Sequence, residues 1–363
     1  MVMTFPHMGN MYICVKALLD GLKIDYIMPD FDHKRSMQKG ASIAPETACL
    51  PLKIHLGNFM QAYEEGADTI LVAGGSGPCR FGYYCEMYRE ILNDNGYKYD
   101  VISLEKPKGD WRRFLSNIHR LGRNTNILHV LKALDHTVKA AVLADSLERT
   151  AYRIRPRECI RGQVDRLCSL YRQEVLEASS WKEMNAVLHL AEKRFAQVAL
   201  KADEKPLKVG IVGEIYTTID SDSSFNMDVL LGGMGVEIHR EVTVSSWIIE
   251  HILKGALRLR RDTAFAEAAR PYLNAMIGGH ARETIGHSVL YARAGFDGIV
   301  QIYPLSCMPE IVAQSILPEV SRDHDIPVLT LIIDELTGEA GYRTRLEAFV
   351  DMLYLRRENG TAN

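Results

Sequence analysis

Three cysteines stand in contexts where a thiol is better placed for chemistry than for packing. Cys79 lies in Ala73-Gly74-Gly75-Ser76-Gly77-Pro78-Cys79-Arg80-Phe81-Gly82, directly after the apolar run 68–73 (DTILVA), which reads as a buried strand. Glycines and a proline end that strand and let the backbone pass close to a ligand. Cys49, in Thr47-Ala48-Cys49-Leu50-Pro51, stands just before a predicted helix over 50–66, where exposed amides and the helix dipole favour a thiolate. Cys307, in Pro304-Leu305-Ser306-Cys307-Met308-Pro309, follows the apolar run 298–303 (GIVQIY). Soft thiolates presented from such turns, with amides of Gly75 and Gly77 near the sulfides, suit an iron–sulfur cluster. Taken singly, each cysteine is better read as a buried small hydrophobe; it is the three at comparable strand ends that point to a site. Zinc is the competing metal, but the close cysteine pair usual in structural zinc sites is missing.

Other residues stand around this set. Cys85, six residues beyond Cys79 and inside a predicted helix, is either a fourth ligand or a packed thiol. Cys14, Cys159 and Cys168 fall on helical stretches and read as structural. Arg80 places a cation beside Cys79, suited to an anionic cluster or a substrate phosphate. His280 and His287 share one helical face, and Glu310, Asp334, Glu335 and Glu339 gather near the last strand; substrate contact, acid–base work, core packing and helix capping all remain open for them.

The elements that must position these residues alternate. Strands are predicted at 2–6, 24–28, 68–73 and 99–104, with helices at 10–21, 50–66 and 82–96 between them. This rhythm implies a parallel sheet with helices on both faces. From about residue 107 to 206 it stops, and a Leu-, Ala-, Arg- and Glu-rich stretch reads as wholly helical. Strands return at 207–213, 298–303 and 327–333, and Thr344 with Glu347 reads as the capping box of a final helix. The expected fold class is α/β: two parallel-sheet, Rossmann-like lobes, 1–106 with Cys49 and Cys79 and 207–363 with Cys307, joined by a helical bridge over 107–206. The G-x-x-G at 210–213 is too weak a signal for a dinucleotide site.

Composition narrows the partners. With 43 basic and 46 acidic residues and a net charge of −3, nothing favours nucleic acid or an anionic membrane. Basic clusters such as Arg258, Arg260 and Arg261 fall at helical spacing and read as a solvated face. The N-terminus lacks a basic leader and no apolar run is long enough to span a bilayer, so the expected compartment is the cytoplasm. Seven cysteines without tight spacing do not form a disulfide framework there.

At these same residues the chain resembles the 2-hydroxyacyl-CoA dehydratase D-component superfamily, in its branch associated with CoA-substrate enzyme activases. The blocks that carry the resemblance are Pro45-Glu46-Thr47-Ala48-Cys49-Leu50-Pro51-Leu52-Lys53, Gly77-Pro78-Cys79-Arg80-Phe81-Gly82-Tyr83, Gly213-Glu214-Ile215-Tyr216, Cys307-Met308-Pro309-Glu310 and Asp334-Glu335-Leu336-Thr337-Gly338-Glu339-Ala340-Gly341. The resemblance implies two α/β lobes and a [4Fe–4S] cluster ligated by Cys49, Cys79 and Cys307, its fourth iron position left to a non-protein ligand. It also implies a separate ATP-dependent iron–sulfur activase as electron donor, anaerobic radical chemistry on an acyl-CoA thioester, and a second homologous subunit. Relatives include reductases of aromatic thioesters such as benzoyl-CoA reductase, and proteins with a double-cubane cluster. The chain has no nucleotide-binding half and no Walker motif of its own. A non-catalytic electron-transfer or assembly subunit of the same activase system is the alternative expectation.

Overall fold

The computed structural model describes residues 1–72, 80–104, 120–121, 126–250 and 263–361. Within them the chain divides into two units, one of Met1–Ala141 with Ser179–Lys182 and one of Val142–Ala178 with Glu183–Asn363. Both sheets are wholly parallel, so the α/β class expected from the alternating pattern is the one observed.

The first unit holds β1 (Met3–Thr4), α1 (Met11–Leu22), α2 (His33–Ala41), α3 (Leu50–Glu64), β2 (Thr69–Val72), α4 (Tyr84–Asp94) and β3 (Asp100–Ser103). Buried Ile13, Cys14, Ala17 and Leu18 give α1 its core face, and Lys23 ends the helix in the left-handed region at φ 55°. The sheet runs β1-β2-β3, and Met3 bridges to Tyr26 on the other side of β1. That single bridge is all that forms of the strand expected at 24–28. Helices α2 and α3 cross with their backbones in contact. A Cβ added at Gly40 would stand 1.7 Å from Lys53 O, and one at Gly57 would stand 1.7 Å from Ser36 O. Asn58 Nδ2 donates to Ser36 Oγ at 2.9 Å beside this crossing, which fixes the helix that Cys49 opens.

Helix α5 (Ile127–Ile154) contributes residues to both units. It is followed by α6 (Gln163–Glu177), α7 (Trp181–Ala196), β4 (Leu207–Gly213), α8 (Ile215–Ile219), α9 (Met227–Gly233), β5 (Val236–His239) and α10 (Val244–Ile248). The chain continues through α11 (Ala264–Ala269), α12 (Ala281–Arg293), β6 (Gly298–Pro304), α13 (Met308–His324), β7 (Val328–Ile333) and α14 (Glu339–Thr361). The sheet order is β5-β4-β6-β7, with Val212 opposite Gln301 and Gln301 opposite Thr330. Ala281, Ile285 and Val289 of α12 pack with Ala313, Leu317 and Val320 of α13 in one apolar cluster.

Two details depart from the sequence pattern. The last helix opens at Glu339, not at Thr344, whose hydroxyl instead donates back to Ala340 O at 3.0 Å. The turn that precedes it is closed by Asp334, which accepts from Leu336 N and Thr337 Oγ1, so the chain is already turned for helix earlier than the Thr344/Glu347 spacing suggests. β5 was hidden by its charged residues. Glu237 on it is buried, yet hydrogen bonds from His239 and Arg157 outweigh that burial and hold the carboxyl at about 2.

Buried charge also ties α5 to β5. Arg240 donates to Glu148 Oε2 at 2.7 Å and to Thr218 O at 2.5 Å, and stands 5.4 Å over the Tyr152 ring. Burial pushes the Glu148 carboxyl up even against Arg240 and Arg172, while the surrounding anionic groups keep Arg240 charged. Among the described residues no helix is long and apolar enough to cross a membrane.

Candidate functional site

In the second unit the chain goes from β4 to β5 on one side and then returns to β6 on the other. β4 and β6 therefore flank a topological switch point, and the crevice outside their carboxyl ends is where open α/β sheets collect ligands. Gly213 ends β4 at φ 135°, and a Cβ there would fall 1.9 Å from Ile302 O, so only glycine fits this close approach of the two strand ends. Glu214 follows as the N-cap of α8, accepting from Tyr216 N at 3.0 Å and Thr217 N at 3.1 Å. Burial nonetheless outweighs these donors and pushes its carboxyl up to about 7.

After β6, Ser306 turns the chain through the left-handed region at φ 68° and Cys307 becomes the N-cap of α13. Its thiol is buried, and the first-turn amides of a seventeen-residue helix lie behind it. In the same first turn, Glu310 is fully buried. Its carboxylate accepts from Thr284 Oγ1 at 3.1 and 3.0 Å and from Gln301 Nε2 at 3.0 Å, while Gln301 Oε1 accepts from Thr330 Oγ1 at 3.0 Å. Burial is the leading cause that raises Glu310 to about 7; Glu214 and Glu283 reinforce it, and the two hydrogen bonds only partly oppose it. Leu305, Met308, Ile311 and Leu336 form an apolar rim on the loops and first turn at this end of the sheet, with Leu336 87% exposed.

In the first unit, Cys49 is the N-cap of α3, with extended backbone at φ −72° and ψ 155°. Its local frame matches that of Cys307: cysteine at the cap, an apolar residue, then proline at the second helical position, and no capping bond from the side chain. Cys49 Sγ contacts the Tyr84 hydroxyl. Cys49 and Cys85 both pack against the core of Leu52, Phe59, Tyr84 and Tyr88, so the structure brings these two thiols to one cluster. Burial raises the Tyr88 phenol, and the two nearby cysteines raise it further; its hydroxyl and His55 Nδ1 stand 2.6 Å apart. Cys85 lies in the first turn of α4, nearer the helix start than the pattern suggested, because residues 80–83 form a separate 3-10 turn.

Cys79, Gly75 and Gly77 lie outside the described residues; Arg80 begins the 3-10 turn, and its side chain is outside the description. The basic cluster Arg258, Arg260 and Arg261 also lies outside them. Cys14 donates to Met11 O and Cys168 is buried, its thiol pushed up to about 11 by desolvation, whereas Cys159 is exposed. His280 is the N-cap of α12, and the His287 ring packs 5.5 Å from Phe265 and 6.1 Å from Tyr291. Of the expected acidic group, Asp334 serves a turn and Glu310 alone enters the buried network. The partners of Glu310 on α12 and β6 went unread in the sequence, since nothing in spacing links Thr284, Gln301 and Glu310 before the topology is known.

One cavity in this unit, about 10 Å³ and lined by Tyr152, Thr218, Ser224, Asp228 and Arg240, has room for a single water and no substrate. Among the described residues, the switch point with Cys307, Glu214 and Glu310 and the shared core that Cys49 and Cys85 pack against both carry groups with chemistry to offer. Compared with known proteins, the chain matches no protein-family model and no curated protein.

Proposed function

We propose that this chain is the iron–sulfur subunit of an ATP-dependent, activase-driven system that reduces or dehydrates acyl-CoA-type thioesters by one-electron chemistry. The observation that supports it most is the shared frame of Cys49 and Cys307, each capping a long helix with proline two residues on. The donor set suits the group: soft thiolates, facing helix N-termini, with the Cys307 thiol at a sheet switch point. Cys49, Cys79 and Cys307 are the ligands in this proposal. A [4Fe–4S] cluster so held supplies low-potential electron transfer and one exchangeable iron position.

The chain's own residues have separable tasks. Helix amides at α3 and α13 favour the thiolate form of Cys49 and Cys307. The rim of Leu305, Met308, Ile311 and Leu336 offers apolar surface to an acyl chain and sheds water from the crevice. Glu310 holds a proton on its carboxyl near neutral pH, with Gln301 and Thr284 fixing the orientation of that carboxyl. An activase of the iron–sulfur ATPase class is the electron source, and a second homologous subunit is the structural partner in this proposal.

One observation favours the alternative of a non-catalytic electron-transfer or assembly subunit. Cys85 packs on the same core as Cys49, and a fourth thiolate would close the exchangeable position. Electron paramagnetic resonance of the reduced, anaerobic protein separates the two. A spectrum that shifts when acyl-CoA thioesters are added, in wild type and in Cys85→Ala alike, supports the enzyme. No shift in wild type, with cluster loss in Cys85→Ala, supports the electron carrier.

A further inference from the structure

The first unit carries a second convergence of ligand-type side chains, built from histidines. His7 stands three residues past β1, and His33 is the first residue of α2, whose cap Asp32 accepts from Arg35 N at 3.1 Å. Both imidazoles are buried, each 6% exposed. His7 Nδ1 and His33 Nε2 face each other at 2.5 Å, with ring centroids 4.7 Å apart and planes at 77°. Phe31 meets the His7 ring edge-on at 4.8 Å, Tyr12 stacks on it at 6.3 Å, and Tyr12 and Phe31 meet each other at 5.1 Å. This aromatic wall holds the His7 ring plane, while the capped start of α2 holds His33.

The place in the sheet is equally specific. β1 has the Tyr26 bridge on one side and β2 on the other, so the chain passes from β1 to one neighbour and then crosses to the opposite one. The crevice at the carboxyl ends of β1 and β2 is thus the switch point of this sheet, and His7 lies directly beyond β1.

We propose that His7 and His33 ligate a divalent transition-metal ion of the zinc class through Nδ1 and Nε2, without a cysteine ligand. Imidazole nitrogen is the borderline donor such ions prefer, and zinc–nitrogen bonds are about 2.0–2.1 Å long. Two nitrogens on one tetrahedral ion then stand roughly 3.3 Å apart, so seating the ion asks the facing nitrogens to part by less than about 1 Å. Each neutral imidazole has one lone-pair nitrogen, so both rings can present it to an ion with their N–H on the other ring nitrogen.

Cobalt(II) is the probe, added to the full-length, iron-free chain carrying Cys49→Ser, Cys79→Ser, Cys85→Ser and Cys307→Ser, and to the unsubstituted chain. The expected result is one equivalent of bound cobalt with visible d–d absorption and no thiolate charge-transfer band in the cysteine-free chain. His7→Gln and His33→Gln, each checked for native circular dichroism, should lower the affinity at least tenfold. In the cysteine-free chain, acidification to about pH 5 should release this cobalt as both imidazoles protonate. Cobalt absorption that vanishes with the cysteines overturns the site. So does absorption that survives in both folded histidine variants, or persists at low pH.

Discussion

Gln301 in the middle of β6 donates through Nε2 to the carboxylate of Glu310 at 3.0 Å, tying the switch-point strand to the first turn of the helix that Cys307 caps. Burial outweighs the hydrogen bonds from Gln301 and Thr284, so the Glu310 carboxyl is raised to about 7 from an ordinary 4.5, and the shift has a thermodynamic consequence. The folded chain binds this proton more tightly than the unfolded chain does. Its contribution is therefore fully favourable below about pH 4.5 and is lost as pH rises through 7.

Glu310→Gln mimics the protonated carboxyl and should leave stability near wild type at pH 5. At pH 8 it should raise stability, by on the order of 3 kcal/mol. Thermal melts of the metal-free protein across that pH range check the sign. A variant that is less stable than wild type at pH 8 would show that Glu310 is held ionised.

Arg240→Ala should be costly, because buried Glu148 then loses the guanidinium at 2.7 Å while Arg172 stands farther off at 3.7 Å. A loss of about 3–5 kcal/mol in denaturant unfolding is expected. Glu148→Gln with Arg240→Met should recover part of it, as a pair replaced together leaves no lone charge. Recovery absent in the double variant would mean that the Arg240–Thr218 bond dominates.

Gly57→Ala and Gly40→Ala should each force α2 from α3, since the added carbon meets carbonyl oxygen at 1.7 Å in both cases. Backbone cannot yield as a side-chain tip can, so a loss above about 2 kcal/mol is expected. Cys49 caps α3, and thiol reactivity with a disulfide reagent should change in these variants but not in Gly338→Ala, whose added carbon meets nothing within 4 Å. Equal reactivity in all three would separate the helix crossing from the cysteine.

Much of this is legible in the amino-acid sequence, and the reasons are local. Cys49 could be placed at a helix start from the helical stretch 50–66 that follows it, whereas the helix behind Cys307 is not evident from the apolar run 298–303 and the turn residues around it, although Pro309 at its second position suits a first turn. The apolar runs at 68–73 and 298–303 became β2 and β6 because four to seven consecutive apolar residues suit a strand buried on both faces. α2 went unread because His33-Lys34-Arg35-Ser36-Met37-Gln38-Lys39-Gly40 has almost no apolar stripe; glycine contact, not apolar packing, seats it. Glu310 with Thr284 and Gln301, and His7 with His33, are long-range meetings that only strand order creates, so no spacing rule could reveal them.

The central claim is that thiolates of Cys49, Cys79 and Cys307 hold one iron–sulfur cluster, and its most direct test is iron and acid-labile sulfide content per chain after anaerobic preparation. Wild type should carry equal amounts of both, with Cys49→Ser, Cys79→Ser and Cys307→Ser each losing most of it and Cys159→Ser, at an exposed position, losing none. Full iron and sulfide in all three serine variants, or none in wild type prepared without oxygen, would contradict it.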